Sequence, residues 1–300
     1  MVYPPFISTN STAIQISNSW PSITSIRKIV IFGDSYSSVG YQGKGGDTAP
    51  RAAKPLGVDF PGYTLQMWNE EGTPNWVGHL ITKYMPEPRY KPNLDEQDKG
   101  YAENPILVYD YAVGGATIDG VKVQVEMFFL GQAGVGTNPD WARWSSEETL
   151  FVTWVGINDC AWSTKHDEVM AKLYNLQEEL YSAGARNFLF IDVPPIARSP
   201  AVPTDRAEEA GKTYLDWNNG LRFGVVPFAQ SHTDASVLLF SAHATFNNFL
   251  DNYHKYGFTH DDLRTPFRGI WCDHLHPTSK VHDVFAFDLY NFLFSVARKP

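Results

Sequence analysis

Several things are scarce in this chain, and each scarcity excludes something. There are two cysteines in 300 residues, too few for a disulfide scaffold. No run reaches 18 consecutive apolar residues, so no transmembrane helix is expected; the most apolar stretch, residues 285–297, is broken by Asp288 and Asn291. Positive charge is short: 24 Lys and Arg face 33 Asp and Glu, giving a formal net charge of −9. A nucleic-acid partner, which needs a basic face, is therefore not expected. Internal repeats, low-complexity tracts and linker-like composition shifts are missing, which predicts one domain over residues 1–300. The start, Met1-Val2-Tyr3-Pro4-Pro5, has no basic or apolar leader pattern and is not expected to be a signal peptide. Asn10-Ser11-Thr12, the single Asn-x-Ser/Thr sequon, points to secretion, with this chain as the mature form.

What is present suits a packed enzyme. Hydrophobic residues make up 43% and charged residues only 19%, so the chain can bury a core and is not of the disordered class. Aromatics reach 14%, with nine Trp and fifteen Tyr. They raise the question of core packing against ligand stacking.

Near-continuous apolar runs at residues 27–33, 106–111, 150–156, 187–193 and 236–241 read as five strands covered on both faces, as in a parallel sheet. Helical stepping connects Val169, Leu173, Leu176 and Leu180, with Gly184 placed to end that helix. The same stepping recurs at Phe285, Leu289, Phe292 and Val296. Thr73-Pro74 predicts a cap and a first helical proline for a helix over residues 75–84. Alternating strands and helices predict a doubly wound α/β fold. Loops at residues 40–62, 86–105 and 131–140 are long excursions of the kind that build sites at strand ends.

Four constellations carry chemistry. Gly33-Asp34-Ser35 follows the first strand, where a following helix can direct amide donors at a nucleophilic serine; a helix-capping Asp-Ser pair is the structural alternative. Asp273 lies three residues before His276, close enough to orient the imidazole and leave Nε2 as a base; Pro277 and Thr278 or Ser279 equally read as helix entry. Gly114-Gly115, after the second strand, lets a backbone amide approach a ligand, or simply makes a tight turn. Asn158, after Gly156 and the third strand, can donate to a developing oxyanion, or cap a turn.

In the order Ser, Gly, Asn, Asp/His, these blocks resemble the SGNH (GDSL-type) hydrolases over residues 27–298. The run Phe32-Gly33-Asp34-Ser35-Tyr36-Ser37-Ser38-Val39-Gly40 is most similar to fungal acetylesterases of the sixteenth carbohydrate-esterase family. Tyr36 stands where many relatives have Leu, and Asp110 where relatives often have Asn. The resemblance implies a three-layer αβα sandwich around a five-stranded parallel sheet, with long active-site loops. It implies deacetylation of xylo-oligosaccharides and sugar acetates through an acetyl-enzyme, without metal or organic cofactor. Ser35 would be the nucleophile, His276 the base, Asp273 its orienting acid. Ser35, Gly115 and Asn158 would form the oxyanion hole. With both loops at one site, a Cys160–Cys272 disulfide is also expected, worth roughly 4–5 kcal/mol in a chain-entropy account; two reduced, buried thiols are the alternative.

Rival patterns fit less well. Cys272, Asp273, His274, His276 and His282 cluster, but their spacing matches no Cys-x-x-Cys or His-Glu-x-x-His metal pattern. The glycine-rich residues 40–46 form neither a P-loop nor a dinucleotide fingerprint, and residues 131–134 lack a strand-turn-helix setting. A lipase or lysophospholipase acting on longer acyl esters remains an alternative, as does a carbohydrate-binding protein with this fold and no turnover. The expected partner is a small-molecule or oligosaccharide ester, not nucleic acid or membrane, with the oligomeric state open. Trp154, on a predicted strand, is expected in the core. Trp68, Trp141, Trp144, Trp162 and Trp271 fall on loops or beside the motifs, where core packing is the expectation for any single one and sugar stacking the alternative for some.

Overall fold

The computed structural model describes residue 8, residues 10–43, 48–94 and 96–298. The first five residues and part of the 40–46 glycine run lie outside the described residues. Among the described residues, six strands form one sheet. They are β1 (Thr12–Gln15), β2 (Lys28–Gly33), β3 (Leu107–Asp110), β4 (Thr149–Trp154), β5 (Asn187–Ile191) and β6 (Ser236–Phe240). Their order is β1-β6-β5-β4-β2-β3. The five strands read from the sequence are parallel to one another. Every residue of β4, β5 and β6 is buried, which is why these strands read as unbroken apolar runs.

The sheet has one strand more than expected. β1 pairs antiparallel with β6 at the edge. Its four residues are exposed or half-buried, so it offers no apolar run to detect. The Gln15 amide holds it in place by donating to the carbonyls of His232 and Ala235, both at 2.8 Å.

The helices are α1 (Trp76–His79), α2 (Lys99–Glu103), α3 (Ile118–Lys122), α4 (Ile157–Trp162), α5 (Asp167–Ser182), α6 (Ala207–Ser231), α7 (Ala242–Asp251) and α8 (Ser279–Ser295). They flank the sheet in two groups: α5 packs with α3 and α6, and α8 packs with α1 and α7. Leu173, Leu176 and Leu180 are buried along α5, and Phe285, Leu289 and Phe292 along α8. Trp154 lies in the core, its ring stacked 4.5 Å from that of Phe285.

Two helix starts differ from expectation. Asn75, not Thr73, caps α1: its Oδ1 accepts from the amides of Val77 at 3.0 Å and Gly78 at 3.4 Å. The Thr73 hydroxyl instead donates to the Glu70 carbonyl. After four residues α1 widens into a π-turn over Leu80–Tyr84. Thr278 stands at the N-cap of α8, but its hydroxyl donates to the Gly269 carbonyl. A carboxylate from a distant loop takes over: Glu70 Oε2 accepts from the Ser279 amide at 2.7 Å.

The topology places a site. From β2 the chain moves to β3 on one side, then returns to β4 on the other. The crevice at such a switch point, beyond the carboxyl ends of the strands, is where open α/β sheets bind ligands.

Candidate active site

Ser35 leaves the end of β2, between the loops that leave β3 and β4. It sits on a turn over residues 34–37 rather than at the start of a regular helix. Asp34 shapes that turn. Its Oδ1 accepts from the Tyr36 amide at 3.0 Å, and its carbonyl accepts from the amides of Ser37 and Ser38, both at 3.1 Å.

Side chains from afar fix the same segment. The Gln124 amide brackets Gly33, accepting from its N–H at 2.9 Å and donating to its carbonyl at 2.8 Å. Asn75 Nδ2 donates to the carbonyls of Ser37 at 2.8 Å and Ser38 at 3.1 Å. Neither Gln124 nor Asn75 has a sequence signal of its own, because each acts on backbone far away in the chain.

The acid–base loop folds on Asp273. One oxygen, Oδ1, accepts from the amides of Leu275 at 2.6 Å and His276 at 2.7 Å. The other, Oδ2, lies 2.7 Å from His276 Nδ1. On the far side of the ring, His276 Nε2 is 2.8 Å from Ser35 Oγ. Burial pushes the Asp273 carboxyl up, but hydrogen bonds from the His276 ring and backbone outweigh it and hold the pKa at about 2. The group therefore stays ionised and keeps the imidazole in one orientation. Elements 241 residues apart in sequence thus meet in one hydrogen-bonded line.

Gly115 adopts a left-handed φ of +79° with nothing within 4 Å of where a Cβ would stand. Backbone conformation, not crowding, favours glycine there. At Gly156, φ is +126° and a Cβ would sit 2.2 Å from the Trp217 ring, so both conformation and space favour glycine. Among the described residues, the amides of Ser35 and Gly115 have no protein acceptor. Asn158 spends one amide hydrogen on the Ala116 carbonyl, at 2.9 Å, leaving the second for a ligand. Asp159 Oδ1 accepts from the Ile118 amide at 3.1 Å. Together these bonds tie the Gly115 turn to the start of α4.

Trp68 lies over this assembly. Its ring stacks on His276 with centroids 5.0 Å apart and planes 30° apart. Of the other tryptophans singled out, Trp144 and Trp271 are buried, while Trp141 and Trp162 are exposed. On the Asn158 side a cavity of about 320 Å³ is lined by Asn158, Leu275, Ile157, Cys160, Ile196 and Tyr214, among others.

The expected disulfide is not formed; both thiols are free. Cys160 lies on α4, two residues beyond Asn158, and its Sγ is buried 4.0 Å from the Thr213 carbonyl of α6. Burial pushes this thiol well up. Cys272 is half-buried on the acid–base loop, where burial and the carboxylates of Glu70 and Asp273 raise it as well. Sharing a site does not align two Cβ vectors, which a bridge requires. His274 meets the Phe267 ring edge-on, and His282 is buried against Tyr36.

Such an array supports acyl transfer: a hydroxyl, a base in reach of it, a carboxylate orienting the base, and backbone amides left free to donate. Comparison with known proteins agrees. The profile of the GDSL-like Lipase/Acylhydrolase family matches residues 29–289. A curated acetylesterase of Thermothelomyces thermophilus is 30% identical over 253 residues, which is 78% of this chain and 76% of that protein. An acetyl-xylooligosaccharide esterase structure from Geobacillus stearothermophilus superposes with a TM-score of 0.52 at 16% identity, covering 93% of this chain and 99% of that one. A GDSL-like lipase structure from Parabacteroides merdae gives 0.53 at 12% identity, covering 94% and 100%. At these identities the two structures speak for the fold alone.

Proposed function

Because the chain belongs to the GDSL-like lipase/acylhydrolase family and is a carboxylic ester hydrolase, we propose that it removes acetyl groups from acetylated carbohydrates such as xylo-oligosaccharides and simple sugar acetates. The observation behind the reading is the continuous line from Ser35 Oγ through the His276 imidazole to the Asp273 carboxylate, beside donors left without protein partners. Ser35 Oγ attacks the ester carbonyl while His276 Nε2 takes its proton. Asp273 stabilises the imidazolium. The Ser35 and Gly115 amides and Asn158 Nδ2 receive the oxyanion. As the tetrahedral intermediate collapses, His276 returns a proton to the departing sugar oxygen, leaving acetyl-Ser35. Water, activated by the same imidazole, then releases acetate. An exposed Asn10 in a glycosylation sequon favours an extracellular setting for this work.

A second reading draws on the cavity beside Asn158 and Leu275. Its apolar walls favour acyl groups longer than acetyl, as a lipase or lysophospholipase would take. The deciding experiment measures acid release from acetylated xylo-oligosaccharides and from aryl esters of rising chain length. Turnover of the sugar ester with a steep fall beyond acetate supports deacetylation. A maximum at longer chains with no sugar turnover supports the second reading.

A further inference from the structure

Resting on the carbohydrate reading above, we propose that Trp68 is the floor of a subsite for the alcohol half of the ester, and that it takes a pyranose ring by stacking. Three observations meet at this residue. Its indole stacks on the catalytic imidazole at 5.0 Å. It is nevertheless 42% exposed, so a large apolar surface beside the reacting atoms is left uncovered. It also lies directly against Gly114: a Cβ there would come within 2.5 Å of the indole Nε1. The glycine next to Gly115 is therefore what lets the indole lie against that turn.

The loop that presents Trp68 is fastened at several points. Asn69 Nδ2 donates to the Thr73 carbonyl at 2.8 Å, and the Thr73 amide donates to the Glu70 carbonyl at 3.1 Å. Glu70 in turn anchors the loop to the first turn of α8. An indole held this way is pre-organised, and its exposed surface costs little to use.

The surroundings decide which half of the ester it meets. Trp68 touches the His276 ring and the Gly114 turn, whereas the cavity beside Asn158 and Leu275 is lined by neither Trp68 nor His276. The alcohol oxygen must lie within reach of His276 Nε2 to receive its proton. A group attached to that oxygen then lies beside the ring stacked on the imidazole. A pyranose presents axial C–H bonds on its face, which complement the electron-rich face of an indole. An acyclic alcohol has no such face.

The test compares wild type, Trp68→Ala and Trp68→Phe on an acetylated xylo-oligosaccharide and on ethyl acetate, which has no ring. The readout is the ratio of the two kcat/KM values, because general damage to the catalytic line lowers both. Trp68→Ala is expected to lower the ratio about ten-fold or more through KM on the sugar ester, and Trp68→Phe to retain most of it. A Trp68→Ala ratio within about two-fold of wild type would overturn the subsite while leaving the carbohydrate reading intact. So would a Trp68→Phe ratio as low as that of alanine. A wild-type enzyme that hydrolyses ethyl acetate but no acetylated xyloside would overturn both.

Discussion

The hydroxyl of Tyr36, the residue after Ser35, donates at 2.8 Å to the carbonyl of Leu275, the residue before His276. The bond crosses 239 residues of chain and links the Ser35 turn to the loop that carries Asp273 and His276. Tyr36 is buried, with its ring against His276 at 5.8 Å and Trp154 at 5.5 Å. Tyr36→Phe keeps the packing and leaves the Leu275 carbonyl unpaired, a cost of about 1–3 kcal/mol. The expected result is a folded enzyme whose kcat on an aryl acetate falls about 3- to 10-fold with little change in KM, because the lost interaction positions the base rather than binding substrate. An unchanged kcat would show that the two loops hold their spacing without this bond.

Removing the proposed oxyanion donor Asn158 should cost far more. Asn158→Ala is expected to lower kcat by about 10²–10³. It also removes the 2.9 Å bond to the Ala116 carbonyl, so a stability loss of about 1 kcal/mol should accompany it. Circular dichroism and thermal melts separate the two effects. Near wild-type turnover in the folded variant would remove Asn158 from the hole. Ser35→Ala should leave only trace activity on any ester.

How much of this the sequence disclosed depends on how local each feature is. Five strands were legible because burial on both faces writes an apolar run. The edge strand at Thr12–Gln15 has no such run and is held by a side-chain amide. The candidates Ser35, Gly115, Asn158, Asp273 and His276 could be picked out because each stands in a short motif at a strand end or before the last helix, and the structure joins Ser35, His276 and Asp273 in one line. Gln124 and Asn75 were not, since an amide that brackets distant backbone leaves no periodic or motif signature. The cap of α8 failed for the same reason: Glu70 comes from another loop. The disulfide failed because topology brings loops together without setting side-chain direction, and α4 turns Cys160 toward α6.

That arrangement of cysteines predicts a chemical result. Denatured without reductant, the protein should titrate two free thiols. In the native state Cys272, half-buried, should react before Cys160, whose thiolate is suppressed by burial. Reductant should leave the melting temperature unchanged, since no cross-link restrains the unfolded chain. Fewer than two thiols in the denatured protein would place a bridge where the structure has none.

Buried carboxyls give the stability a pH slope of definite sign. Asp34 is fully buried, and only one of its oxygens has a hydrogen-bond partner. Burial, opposed by the Tyr36 amide and reinforced by the nearby Asp159 carboxylate, raises its pKa from 3.8 to about 7. Asp192 is raised to about 6, again by burial first, despite bonds from His243, Ser241 and Arg222. A raised carboxyl keeps its proton in the folded state where the unfolded chain has already lost it. Stability from these groups is therefore present below about pH 4 and lost progressively up to about pH 7. For Asp34 alone the shift corresponds to a swing on the order of 4 kcal/mol. Asp34→Asn retains an oxygen for the Tyr36 amide and cannot ionise, so its unfolding free energy should fall less than that of wild type between pH 5 and pH 8. Urea unfolding at both pH values gives the comparison. Equal slopes in the two proteins would mean that Asp34 ionises in the fold as it does in water.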